Sequence, residues 1–281
     1  MQHKKENSPF TIHRSPFAKK SFGQNFLVDQ NYIDKIISAL NPQKDETIIE
    51  IGAGRGALTE KLIESGAKII AIELDRDLIP LLQTDFGRYE NFTLIEQDAL
   101  TVDFKNLLTT HRLPLNTKLV ANLPYYISTA ILQKLIKQRN CFGEMVLMLQ
   151  REVVERITAE AGNRERGFLS VLVQAYLQTE KLFDVPPSAF RPAPKVWSSV
   201  IRLVTKNENE IKNEKLFREI ISTGFAQKRK TILNNLKNVP PELREKFGDI
   251  ETFLESCGIN PQRRAETLTL DEWRQIYSLS I

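Results

Sequence analysis

The chain has 281 residues, 41% hydrophobic and 26% charged, with a net charge of +4; these are ordinary proportions for a globular protein, with room for one sizeable domain and a smaller one. No apolar run approaches the roughly 18 residues needed to cross a bilayer, and the N-terminus MQHKKENSPF lacks a signal-peptide core, so a cytoplasmic protein is expected. Only Cys141 and Cys257 are present, far apart and outside any Cys/His ligand spacing, so neither a disulfide framework nor a structural zinc is expected and the chemistry is read as metal-free.

A polar tail runs through residue 18. Strands are then predicted at TIIEIG (47–52), KIIAIEL (68–74), FTLIEQD (92–98), KLVANLP (118–124) and EMVLMLQ (144–150), each reached through an amphipathic, helix-like stretch. FLSVLVQAYLQTE (168–180) has helical spacing, and VWSSVIRLV (196–204) reads as one more strand after a proline-punctuated loop. This pattern predicts a doubly wound, mostly parallel α/β sheet of Rossmann-like type. After about 205 only short helical segments follow, at 215–227, 230–236, 241–248, 249–258 and 270–280. The predicted organisation is therefore a tail (1–18), an α/β domain (19–205) and a small all-helical domain (206–281).

The basic excess is segregated. Residues 1–30 carry five Lys/Arg against two acids and residues 187–236 carry ten against four, whereas 31–186 and 237–281 are net acidic. Such stripes are the footprint expected of a phosphate-rich partner, although a basic run is also found on any solvated face.

In EIGAGRGALTEKL the first strand ends at Ile51 and a helix begins near Gly56, with glycines at 52, 54 and 56. Glycine lets the backbone turn tightly and approach a ligand, and GxGxG rather than GxGxxG suits a ligand without a pyrophosphate. Glu73 ends the second strand, where a carboxylate accepts from ribose hydroxyls, and Asp98 ends the third, placed for an exocyclic amine or for a helix cap. Asn122-Leu123-Pro124-Tyr125 ends the fourth. The Asn122 side-chain oxygen and the Leu123 carbonyl are neutral acceptors suited to the hydrogens of a ring-conjugated amine. Pro124 stiffens the turn, and Tyr125 offers a face to an unstacked base.

These pieces resemble the ribosomal RNA adenine dimethyltransferase family, on its bacterial small-subunit side. The resemblance rests on KSFGQNFL (20–27), EIGAGRGALT (50–59), the acids of IELD (72–75) and EQDAL (96–100), NLPYYIST (122–129), VPPSAFRPAPKVWSSV (185–200) and QKRKTILNNL (227–236). It implies a class I methyltransferase sheet using S-adenosylmethionine, with cofactor contacts at Asn25, Leu27, Gly52, Gly54, Glu73, Asp98 and Asn122. It implies a reacting site at Asn122, Leu123, Pro124 and Tyr125, with Phe190 closing on the target adenine opposite Tyr125. Read without the resemblance, Phe190 is a buried loop anchor and GQNFL a polar turn before a helix.

The implied substrate is 16S ribosomal RNA in the small subunit or its precursor, dimethylated at two adjacent adenosines in a hairpin loop near its 3′ end by a protein acting as a monomer. Arg191 and Lys195, with Lys19, Lys20, Lys228, Arg229 and Lys230, are expected to meet RNA phosphates. No general base is expected, because transfer from a sulfonium needs positioning more than proton abstraction. Other readings are a large-subunit ribosomal RNA enzyme of the antibiotic-resistance type, a mainly non-catalytic ribosome assembly factor and an adenine-specific DNA methyltransferase; the last lacks an evident sequence-reading domain.

Overall fold

The computed structural model describes residues 18–19, 23–111, 117–206 and 211–281. The chain divides into two compact units, residues 1–151 with 182–204 and residues 152–181 with 205–281. The sequence boundary near 205 thus marks only one of the crossings, since residues 152–181 group with the C-terminal helices.

The first strand, β1 (Phe26–Leu27), is only two residues long. Asp29 starts α1 (Gln30–Leu40) by accepting from the Asn31 N–H, a side-chain substitute for the missing first-turn partner. There follow β2 (Thr47–Ile51), α2 (Ala57–Glu64), β3 (Lys68–Glu73), α3 (Ile79–Phe86), β4 (Phe92–Glu96), α4 (Phe104–Thr110), β5 (Thr117–Asn122), α5 (Ser128–Lys137) and β6 (Phe142–Gln150). The next elements are α6 (Arg151–Thr158), α7 (Phe168–Tyr176), β7 (Leu177–Val185), β8 (Phe190–Arg191) and β9 (Ser198–Thr205).

Seven strands form one sheet in the order β4-β3-β2-β5-β6-β9-β7. The five from β4 to β6 are parallel, and β9 runs antiparallel to β6. Ile48, Ile49, Ile69, Ile70, Leu119 and Val120 are fully buried, as expected for near-continuous apolar strands covered on both faces. Two local features depart from the expected pattern. The helix predicted over 168–180 stops at Tyr176, because the helical run of apolar residues ends there and LQTEKLFDV continues as β7. The segment read as a polar turn contains β1, which pairs antiparallel with β8, Phe26 opposite Arg191 and Leu27 opposite Phe190; pairing of two-residue strands far apart in the chain leaves no periodicity to read.

The second unit holds α7 with α8 (Glu214–Gly224), α9 (Ile232–Leu236), α10 (Pro241–Phe247), α11 (Ile250–Ser256) and α12 (Leu270–Ser278). Its core is aromatic: Trp273 is fully buried and stacks on Phe225 at 5.4 Å, while Phe217 meets Tyr277 and Tyr176 edge-on. Such pairs add about 0.5–1.5 kcal/mol each beyond burial. Thr269 and Glu272 close a reciprocal capping box at the start of α12.

Candidate active site

The chain winds outward from β2 through β3 to β4 and then returns to the other side of β2 as β5, so the order reverses between β2 and β5. A crevice opens at such a switch point, outside the carboxyl ends of the strands. Ile51 pairs with Ala121, which sets the next residues, Gly52 and Asn122, side by side.

Gly56 must be glycine. Its φ is +79°, and a Cβ there would lie 2.3 Å from Phe86 Cε2, so any side chain would force α2 and α3 apart. At Gly52, where φ is +73°, a Cβ would meet nothing nearer than the Asn122 carbonyl at 4.0 Å. The loop is therefore open on the side facing the β5 tip.

Glu73 is almost fully buried and accepts three backbone N–H groups, from Gly54 at 2.8 Å and from Leu74 and Asp75 at 2.9 Å each. The acid thus couples the glycine loop to the β3 tip. Asp98 is half-buried and accepts from the Leu100 N–H at 2.8 Å; the start of α4 is capped by Asp103 instead, so Asp98 is not that helix's cap. Asn122 Nδ2 donates to the Asn25 carbonyl at 3.2 Å. Its side-chain oxygen accepts no hydrogen bond among the described residues. The half-buried Tyr125 exchanges a 2.7 Å hydrogen bond with Ser198 Oγ, and burial pushes its phenol above the ordinary value against that hydrogen bond.

A cleft of about 810 Å³ joins these tips. Asn25, Gly52, Gly54, Glu73, Asp98, Asn122, Leu123, Pro124 and Tyr125 all line it, so nine of the residues singled out in the sequence converge on one concavity. Two expected site residues do not line it. Leu27 lies in the apolar core beneath and walls only the neighbouring cleft behind the glycine loop. Phe190, expected to face Tyr125 across a base, is fully buried in the same core against β1; a buried Phe stabilises by roughly 1.5–3 kcal/mol, and here that gain holds it away from the cleft.

The cations also divide. Arg191, Lys195, Lys228, Arg229 and Lys230 are exposed, and Lys20 lies outside the described residues. Lys19, expected at a phosphate, is instead bound to Asp75 at 2.5 Å and Asp77 at 2.6 Å, because two carboxylates beside it outbid solvent. Gln24 Nε2 donates to the other Asp75 oxygen at 2.7 Å, and both Gln24 and Asp75 line the cleft. These two residues, with Phe26, Tyr126 and Ser198, were not singled out beforehand; only their adjacency to the matched motifs pointed to them.

Glu50 was also missed. It is fully buried, accepts from Thr59 Oγ1 at 2.6 Å and walls the cleft behind the glycine loop. Burial raises its carboxyl to about 7, against the Thr59 hydrogen bond and with help from the Glu73 charge. Inside a strand made of isoleucines, its acid reads only as an interruption.

A doubly wound sheet with glycines, Glu73, Asp98 and Asn122 on successive tips defines an α/β protein of the class I methyltransferase group. More particularly, the chain belongs to the ribosomal RNA adenine dimethylase family, whose model matches residues 17–280. It is 43% identical over 259 residues to a ribosomal RNA small subunit methyltransferase A of Clostridium botulinum (strain Loch Maree / Type A3), covering 92% of each chain. It is 44% identical over 261 residues to the protein of the same name from Hahella chejuensis, covering 92% of this chain and 91% of that one. Among solved structures it resembles a dimethyladenosine transferase from Plasmodium falciparum, with TM-score 0.76, 27% identity and coverage of 89% and 95%. A 23S rRNA methyltransferase, ErmE, shares the fold at TM-score 0.68 and 19% identity, covering 91% of this chain and 99% of that one.

Proposed function

We propose that this enzyme transfers methyl groups from S-adenosylmethionine to the exocyclic amines of two adjacent adenosines in a hairpin loop near the 3′ end of 16S ribosomal RNA, two to each, acting as a cytoplasmic monomer during small-subunit assembly. The observation that carries the reading is the Asn122 side chain: its amide nitrogen is held by Asn25 while its oxygen accepts nothing among the described residues, in the cleft that Tyr125 also lines.

When bound, S-adenosylmethionine supplies an electrophilic methyl whose departure needs no acid. The open glycine loop lets a nucleoside approach the backbone closely. Glu73 would hold the ribose hydroxyls, Asp98 the adenine amine, and Asn25, Gly52 and Gly54 the walls between them, with Leu27 packing behind. Asn122 Oδ1 and the Leu123 carbonyl take the hydrogens of the target amine and let its lone pair localise; Pro124 contributes no competing N–H. Tyr125 supports the unstacked base, its hydroxyl fixed by Ser198. After the first transfer one hydrogen remains for two acceptors, so Asn122 serves in both rounds and the site tolerates a methyl where a hydrogen sat.

The test is to incubate the protein with small subunits lacking the modification and isotopically labelled methyl donor, then map the labelled nucleotides by mass spectrometry. Four labelled methyls on two neighbouring adenosines are expected; label only at other nucleotides, or none, overturns the assignment.

A further inference from the structure

The loop after β8 carries exposed apolar groups next to cations. In RPAPKVW (191–197) every residue but Pro194 is exposed, and the last two are large apolar groups, Val196 at 43% and Trp197 at 44% exposure. Single exposed apolar residues are common, but this pair sits among cations. Arg191 and Lys195 are in the loop, no acid is, and the Arg151 guanidinium lies 5.9 Å from the Trp197 ring centre.

The loop end is also fixed relative to the reacting site. The Arg151 N–H donates to the Trp197 carbonyl at 2.9 Å. Ser198, the next residue, is fully buried, pairs with Gln150 at the end of β6, and holds the Tyr125 hydroxyl. Trp197 therefore stands one residue from a direct hydrogen bond to the ring that supports the target base. A rigid aromatic face flanked by positive charge, continuous with the reacting tip, matches the chemistry of a single-stranded nucleic acid: a ring for a base and cations for the phosphates on either side.

We propose that Trp197 is a stacking platform for the RNA base next to the target adenosine, with Arg191 and Lys195 meeting the flanking phosphates. The platform would select an unpaired neighbour over a helical one, because only a base free of its own stack can lie on the indole. This rests on the reading of RNA as the substrate.

The chain has two tryptophans, and the other, Trp273, is fully buried, so Trp197 is the one whose emission an RNA base can quench by contact. The full-length protein is titrated with an RNA hairpin carrying two adjacent adenosines in its loop, alongside Trp197→Phe and Trp197→Ala. Wild type should be quenched by the RNA and Trp197→Phe should show no quenching while binding within about threefold of wild type. Trp197→Ala should bind about tenfold more weakly, the order of one lost base–aromatic stack, with its KM for S-adenosylmethionine unchanged. If wild type binds and methylates the hairpin without quenching, or Trp197→Ala binds as tightly as wild type, the platform is overturned and the RNA reading stands. If wild type neither binds nor methylates the hairpin or the small subunit, the RNA reading falls and the platform with it.

Discussion

Lys19 Nζ lies 2.5 Å from Asp75 Oδ1, so Lys19 is fastened to the loop that follows Glu73 at the β3 tip. Burial alone would raise the Asp75 carboxyl; the hydrogen bonds from Lys19 and Gln24 outweigh it and hold it below the ordinary range. Asn25 and Phe26, next in the chain to Gln24, wall the cleft proposed to take the cofactor. Asp75→Asn and Lys19→Met should therefore each raise the KM for S-adenosylmethionine about tenfold, with kcat within twofold. Steady-state kinetics check this; a fall in kcat at constant KM would place the clasp's effect in the chemical step.

The glycine loop, Glu73, Asp98 and the Asn122 tip were legible because each sits at a strand end, where the sequence marks both the strand and its stop. The clasp was not, because charge alone cannot tell a lysine that grips carboxylates from one that waits for phosphate. Phe190 is harder to read for a similar reason: an aromatic among prolines has the same one-letter pattern whether it faces a base or a core, and the β1–β8 pairing places it in the core here.

Phe190 accordingly tests core against stacking. Phe190→Ala should destabilise the fold by about 3–5 kcal/mol, whereas Phe190→Leu, which keeps most of the apolar volume, should cost less than about 1.5 kcal/mol and retain methylation within a few-fold. Urea unfolding and methyl transfer are measured together. A Leu variant that folds as wild type yet loses methylation a hundredfold would return Phe190 to the target base.

Asn122→Ala removes the side-chain acceptor that the proposed site sets against the target amine. Deleting a preorganised hydrogen-bonding group of this kind costs about 10²–10³ in kcat, and the expected loss here lies at or beyond that upper end, with the fold intact by circular dichroism. Because the same group is needed in both rounds, the ratio of monomethyl to dimethyl product at equal conversion should match wild type. Methylation near the wild-type rate would remove the assignment of the reacting site.

Glu50 gives a pH prediction. The unfolded chain releases this proton near the ordinary 4.5, whereas the folded chain keeps it to about 7. Between those values the native state binds more protons, so stability falls as pH rises, by roughly 3 kcal/mol in total. Glu50→Gln has no proton to lose and its amide oxygen can still accept from Thr59. Measured from pH 5 to pH 8, the Tm of wild type should drop relative to that of Glu50→Gln; parallel curves would mean that Glu50 is already ionised at pH 5.

Lys228, Arg229 and Lys230 lie exposed in the turn between α8 and α9. The turn is held from beneath by buried Asn235, whose Nδ2 donates to the Gly224 and Gln227 carbonyls and whose Oδ1 accepts from the Gln227 N–H. A polar side chain buried to shape a turn of three like charges makes sense if those charges must be presented together, since their mutual repulsion otherwise favours spreading. Each phosphate neutralised contributes about 0.7–0.9 to the slope of log K against log salt. Reversing all three to Glu should therefore weaken RNA binding and flatten that slope by about 2 to 3, leaving the KM for S-adenosylmethionine unchanged. An unaltered slope would mean that the RNA passes elsewhere and that the basic turn serves only solvation.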